Sequence, residues 1–234
     1  MSKTTPLHGL HVALKAQMAD FGGYDMPLWY PAGTRTEHLA VLTGAGLFDT
    51  SHMAVVMITG AGARELLQHC FTKNLDRCVG KKLLPLSPNR CAYGAFLDKA
   101  GSVLDDAIVS MINETTYMTV VNAGMGNTIT RHLADEARAA SRAADIHDFT
   151  DRVGKIDLQG PRSADILASV LANPAILQEP MSFFSFRGHF DGHAPEADQV
   201  RLVNGAPVLL SRTGYTGEFG FELYMDPSRL GDSW

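Results

Sequence analysis

The residues most suggestive of chemistry are two adjacent aspartates, Asp105 and Asp106, set in the apolar run VLDDAIV at residues 103–109. On an extended strand neighbouring side chains point to opposite faces. Asp105 therefore shares a side with Val103, Ala107 and Val109, and Asp106 shares one with Leu104 and Ile108. Both sides are apolar, and an unpaired buried carboxylate is prohibitively costly, so at least one of the two must lie in a cleft or be hydrogen-bonded. A structural alternative is a hairpin-end aspartate capping the turn KAGS at residues 99–102. A second cluster, TGYTGEFG at residues 213–220, places glycines at 214, 217 and 220 around Tyr215 and Glu218. Glycines so spaced suit tight turns or a close backbone approach to a flat ligand, with a ring and a carboxylate beside it. A glycine-rich hairpin without a ligand gives the same letters. A third cluster, FDTSHM at residues 48–53, is polar text between apolar segments.

Other chemistries find less support. The glycine spacings match neither G-x-G-x-x-G nor a P-loop, and Gly124 and Gly126 ahead of a helix are a weak phosphate signal. His8 and His11 are three apart and His189 and His193 four apart, with no metalloprotease pattern, so both pairs read as surface or hydrogen-bonding histidines. No G-x-S-x-G nucleophile motif occurs. The three cysteines, Cys70, Cys78 and Cys91, are odd in number and lack C-x-x-C spacing, which argues against a disulfide framework and a zinc site and for a reducing compartment. No metal is expected.

These clusters need elements to hold them. Residues 53–59 read as a β-branched strand, and residues 61–71 as a helix with Ala63, Leu66, Leu67 and Cys70 on one face. Three further strands are predicted at 91–97, 103–112 and 117–122, separated by turn residues. A helix follows over 127–144, with Ile129, His132, Leu133 and Ala137 on one face, then a strand at 145–150. That order resembles a split βαβ or ferredoxin-like unit at residues 53–147. A strand at 153–160 and a helix after Pro161 then resume another domain, made of residues 1–52 and 148–234. The predicted fold class is α+β, with the ferredoxin-like unit inserted in a second mixed α/β domain. At the end of the chain Asp226 is an N-cap candidate, Pro227 takes the first helical position, and Leu230 and Trp234 share a face. A helix that short is marginal alone, so the chain is expected to be the N-terminal part of a longer protein.

With 20 Lys and Arg against 25 Asp and Glu and no long like-charge block, the net charge of -5 gives no nucleic-acid footprint. No apolar run nears the ~20 residues of a membrane span. The N-terminus has neither a signal-peptide core nor the look of a transit peptide, so a cytoplasmic protein is expected.

Eight segments, in order, carry a family resemblance: TPLH at 5–8, FGGYDMPL at 21–28, EHLAV at 37–41, AGLFDTSHM at 45–53, VLDDAIV at 103–109, VVNA at 120–123, LQGP at 158–161 and RTGYTGE at 212–218. Together they resemble the signature segments of the aminomethyltransferase T-protein family of the glycine cleavage system. The resemblance implies a three-domain cloverleaf around a tetrahydrofolate cavity, with the C-terminal β-barrel domain absent here. It implies transfer of an aminomethyl group from the lipoyl arm of H-protein to tetrahydrofolate, releasing ammonia and leaving 5,10-methylenetetrahydrofolate. Lipoylated H-protein is thus the implied partner and tetrahydrofolate the implied cosubstrate.

By the same resemblance Asp105 sits beside the reacting pterin edge and Glu218 grips the pterin. Met53, Tyr93, Asn122 and Tyr215 match motif positions lining the folate cavity. A pterin presents an amino group and ring N–H donors side by side, which a carboxylate accepts with charge assistance. An electron-poor, iminium-like methylene in transit is stabilised by a fixed negative charge at Asp105. Two segments depart from the family pattern. Residues 99–102 read KAGS in place of a Gly-Gly pair, and residues 124–127 read GMGN in place of a charged run. The family's folate-contacting Arg and closing aromatic would fall beyond position 234. The alternatives are a related folate-dependent demethylase module of the dimethylglycine or sarcosine type, and a non-catalytic folate-binding protein.

Overall fold

In the computed structural model, residues 2–191 and 199–234 are described, so His193 of the second histidine pair lies outside them. The elements begin with α1 (His8–Ala13), β1 (Gln17–Phe21), β2 (Tyr24–Trp29), α2 (Thr34–Thr43) and β3 (Gly46–Asp49). Next come β4 (Ala54–Thr59), α3 (Ala63–Cys70), β5 (Arg90–Leu97), β6 (Val103–Asn113), β7 (Thr116–Val121), α4 (Gly126–Ala139) and β8 (Asp145–Asp148). The chain closes with β9 (Gly154–Gln159), α5 (Ser163–Val170), β10 (Phe186–Gly188), β11 (Val200–Arg201), β12 (Pro207–Ser211), β13 (Gly220–Met225) and α6 (Leu230–Ser233). Two compact units result: residues 53–150, and residues 1–52 with 151–234.

The unit of residues 53–150 is an antiparallel sheet in the order β5-β6-β7-β4-β8, with α3 and α4 connecting its strands. Without β5 this is the ferredoxin-like arrangement; β5 is an added edge strand paired along β6. Ala63, Leu66, Leu67 and Cys70 of α3 and Ile129, Leu133 and Ala137 of α4 pack with Val56, Ile58 and Val109 in one core. Helix α3 thus buries the whole stripe that its 3.6-residue spacing predicted, and α4 buries Ile129, Leu133 and Ala137 of its predicted face while His132 is half-buried. Helix α4 ends at Ala139, short of the expected 144. Ser141 turns into the left-handed region (φ 49°), and the Ala143 carbonyl instead accepts the Gly62 N–H at 2.8 Å.

The other unit carries an antiparallel sheet ordered β10-β12-β13-β9-β3, with β11 also paired to β12. Ile156, Leu158, Leu167, Phe221, Leu223 and Leu230 form its core. Strands β1 and β2 make a hairpin that turns at Gly22 (φ 59°) and Gly23 (φ 84°), the two consecutive positive φ values that a tight hairpin turn requires. At the C-terminal end the Asp226 side chain accepts the Ser228 N–H at 2.8 Å, with Pro227 in the first turn, as the capping pattern predicted. Leu230 and Trp234 both join the core. Among the described residues no helix is long and apolar enough to cross a membrane.

Candidate functional site

Asp105 lies near the start of β6 on the side that also presents Ala107 and Val109 to the helices, and it is buried, whereas Asp106 is exposed. Asn122, the first residue after β7, stands beside them because Ala107 pairs with Val121. Its backbone N–H donates to Asp105 Oδ2 at 2.8 Å and its side-chain amide to Asp105 Oδ1 at 2.7 Å. The same amide nitrogen donates to Asp106 Oδ1 at 2.7 Å. From β5 the Tyr93 hydroxyl donates to Asp106 Oδ2 at 2.8 Å, and that bond pushes the phenol up from its ordinary pKa. The requirement that at least one carboxylate be hydrogen-bonded is met twice over. The turn at residues 98–102 is capped by another residue, Asp98, whose Oδ1 accepts the N–H groups of Ala100 and Ser102 at 2.8 Å. Asp105 and Asp106 are therefore not needed as turn caps.

Three of the six predicted site residues thus meet in one hydrogen-bonded group. Met53 directly precedes Ala54, which pairs with Val121, so it sits at the same end of the sheet as Asn122. Gly126 opens α4, and a Cβ there would stand 2.8 Å from Asp148 Oδ2 and 2.9 Å from Thr150 Oγ1. The glycine permits close packing against a carboxylate, which leaves the phosphate signal with a structural explanation.

Tyr215 and Glu218 belong to the other unit, on the loop between β12 and β13. A Cβ at Gly214 would come within 2.5 Å of Gln159 Oε1, and one at Gly220 within 2.5 Å of Gln159 Cδ. The flat group these two glycines approach is thus the buried Gln159 amide, which donates to Phe221 O at 3.2 Å and accepts from Thr216 Oγ1 at 3.2 Å. Glu218 is half-buried, and among the described residues its carboxylate has no hydrogen-bond or ion-pair partner; Tyr215 is exposed.

The sequence reading missed a buried ionic cluster in the same unit. Lys155 and Asp157 project from one side of β9 and Glu222 from β13, where Glu222 pairs with Asp157. Lys155 Nζ lies 2.6 Å from Asp157 Oδ1 and 3.0 Å from Glu222 Oε1, and all three residues are at most 3% exposed. Thr50 donates to Asp157 Oδ1 at 2.8 Å, and Tyr224 and Thr213 donate to Glu222 Oε2. Among the described residues Asp157 Oδ2 has no hydrogen-bond partner. Burial raises the Asp157 carboxyl to about 7 against the pull of Lys155. Burial acts upward on Glu222 too, but Lys155 and the hydroxyl donors hold it below its ordinary value. The alternation of GKIDLQG was the available signal, since it puts Lys155, Asp157 and Gln159 on one face.

A cleft of about 500 Å3 opens in this unit among β1, β2, α2 and β3. Behind it His11, fully buried, bonds Asp49 Oδ2 through Nε2 at 3.0 Å and the Tyr30 hydroxyl through Nδ1 at 2.8 Å. Thr5 also donates to Asp49, so the TPLH and FDTSHM segments meet at one carboxylate. His8 bonds Asp25 at 2.8 Å. Both histidines of the first pair are thus hydrogen-bonding residues.

The profile of the GCVT N-terminal domain family matches residues 7–234. An aminomethyltransferase of Streptomyces coelicolor is 37% identical over 99% of this chain and 55% of its own length. One of Ralstonia pickettii is 32% identical over 98% of this chain and 58% of its own. The crystal structure of glycine cleavage system aminomethyltransferase T from Bartonella henselae superposes with a TM-score of 0.79 at 27% identity, covering all of this chain and 56% of that one. A heterotetrameric sarcosine oxidase of Corynebacterium, at TM-score 0.55 and 12% identity, shares the fold. The chain thus spans a little over half the length of the curated relatives it matches.

Proposed function

The chain belongs to the GCVT N-terminal domain family, and on that premise we propose that it takes part in folate-dependent aminomethyl transfer. The donor in this reading is the aminomethyl-lipoyl arm of H-protein, the acceptor is tetrahydrofolate, and ammonia and 5,10-methylenetetrahydrofolate are the products. The observation that carries the reading is the fixed Asp105 carboxylate, held by two N–H donors of Asn122. A carboxylate has about four lone-pair sites, so Asp105 keeps acceptor capacity for a reacting nitrogen. Its orientation is set before any substrate arrives, and a preorganised charge of this kind favours a methylene group that becomes electron-poor in transit. Asp105 acts through electrostatics and positioning. Glu218 offers a carboxylate without a side-chain partner, which suits the paired N–H donors of a pterin edge. Tyr93, Asn122, Met53 and Tyr215 are proposed to line the folate site.

Calorimetric titration of the chain with reduced tetrahydrofolate, beside Glu218→Ala, tests the binding half. Saturable binding that weakens in the variant is expected. A folded chain that takes up no tetrahydrofolate, or a variant that binds as well as the parent, overturns the assignment.

A further inference from the structure

From the cleft beside β3 we infer a binding site for a small organic ammonium ion. The lining carries no Lys and no Arg. It presents the rings of Phe21, Tyr30, Phe48, Tyr215 and Trp234, with the charged group of Glu37 at one side and Asp49 behind. Aromatic faces carry negative potential and attract a cation, the more so when it is partly desolvated.

The polar groups agree with the rings. Asp49 can only accept, so His11 carries its proton on Nε2 and offers Nδ1 as an acceptor. The Tyr30 hydroxyl then donates to His11, which leaves its own oxygen as an acceptor. Burial, with the charges of Asp49 and Glu37, pushes the Tyr30 phenol up to about 12, so the hydroxyl keeps its proton and adds no negative charge of its own. Glu37 uses one oxygen to accept the Tyr30 N–H at 2.7 Å, which leaves the other facing solvent or a ligand. His52 closes the wall with its ring edge-on to Phe21, 5.4 Å between centroids. Its Nδ1 is buried with no hydrogen-bond partner among the described residues, and burial lowers its pKa, which disfavours a competing positive charge. Rings, acceptors and carboxylates without a cation select a positively charged ligand of modest size over a neutral or anionic one.

All residues of this site lie in one unit, and Tyr215 is the one it shares with the proposed folate site, so the test uses probes that contain no pterin. The test is a calorimetric or NMR titration of the whole chain with choline, and in parallel with 3,3-dimethylbutan-1-ol, its uncharged carbon analogue. Choline is expected to bind saturably and about tenfold more tightly than the alcohol, the factor that ~1.4 kcal/mol of cation–π and charge attraction supplies. Glu37→Gln keeps an oxygen for the Tyr30 N–H, and is expected to weaken choline several-fold while leaving the alcohol unchanged. Equal affinity for the two probes, or no saturable choline binding by a chain with native circular dichroism, overturns the inference. Because the two-probe comparison is made on the parent chain, it decides the matter even where the variant does not fold.

Discussion

Asn122 grips Asp105 at both carboxylate oxygens, with its backbone N–H at 2.8 Å and its side-chain amide at 2.7 Å. Two donors from one residue fix the rotamer of the carboxylate as well as its position. Asp105→Asn keeps the shape but removes the charge, and it sets an amide nitrogen against a donor at one of the two contacts. Under the proposed function, aminomethyl transfer is expected to fall by about 10²–10³-fold, the range for removing one preorganised electrostatic group. Far-UV circular dichroism should be unchanged. Transfer within threefold of the parent rate would show that the charge has no catalytic part.

Removing the other partner tests the hydrogen bonds themselves. In Asn122→Ala the backbone N–H remains, but Asp105 and Asp106 lose the amide that both share. We expect urea unfolding to show a loss of about 1–3 kcal/mol, the cost of leaving a largely buried acceptor short of its donor. Tyr93→Phe removes only a bond to the exposed Asp106 and should cost less than Asn122→Ala. The reverse ranking contradicts the geometry.

Among the described residues Lys155 is the sole cation reaching these two buried carboxylates, 2.6 and 3.0 Å away. Lys155→Ala leaves Asp157 and Glu222 buried without their cation, and breaking a buried pair from one side costs about 3–5 kcal/mol. That is a large share of the ~5–15 kcal/mol by which a domain of this kind is stable. Lys155→Met paired with Asp157→Leu and Glu222→Gln removes charges together and is expected to recover part of the loss. Unfolding midpoints of the two variants compare them directly.

Asp157 gives stability a pH dependence of definite sign. Its folded pKa of about 7 exceeds the unfolded value near 3.8, so the folded state binds the proton more tightly. The stabilising contribution is complete below the unfolded value and is lost as pH rises through about 7. Glu222 is shifted downward and acts oppositely, losing its contribution as pH falls below its ordinary range. Thermal unfolding should therefore show greatest stability at mildly acidic pH. Asp157→Asn should flatten the loss between the two values. A variant whose stability still declines in parallel with the parent between about pH 4 and 7, the window between the unfolded and folded pKa, would assign the decline to another group.

Much of this architecture was legible because burial followed simple periods. The stripe Ala63, Leu66, Leu67 and Cys70 faces the core as its spacing requires, and the cap at Asp226 forms as its residue type suggests. The paradox of two aspartates on an apolar strand called for a hydrogen-bond partner, which the structure supplies as Asn122, a residue the sequence offered only through the family resemblance. Other features were hidden for physical reasons. Helix α2 buries none of its residues, so no apolar stripe marks it. Alternation on β9 is the same whether the polar face meets water or meets Glu222 from another strand, and all six residues of β9 are buried. His11 and Asp49 are 38 residues apart in sequence, and no local period reports such a contact. Alanine propensity carried the expected end of α4 too far, because the competing Gly62–Ala143 hydrogen bond is tertiary.

The glycines of the 212–219 loop separate conformational need from crowding. At Gly217 (φ 80°) a Cβ meets nothing within 4 Å, so Gly217→Ala pays only for left-handed backbone, about 1–2 kcal/mol. At Gly214 a Cβ would lie 2.5 Å from Gln159 Oε1 and 2.8 Å from Nε2. Gly214→Ala must displace that amide, which breaks its bond to the Phe221 carbonyl and moves the loop bearing Tyr215 and Glu218. Greater destabilisation than Gly217→Ala is expected, together with weaker tetrahydrofolate uptake if the folate reading holds. Truncating the obstructing side chain should then help: Gly214→Ala with Gln159→Ala ought to cost less than the sum of the two single changes, since both act on one contact. Strict additivity in urea unfolding would mean that Gln159 is not what requires a glycine at 214, and that the loop is set by its backbone alone.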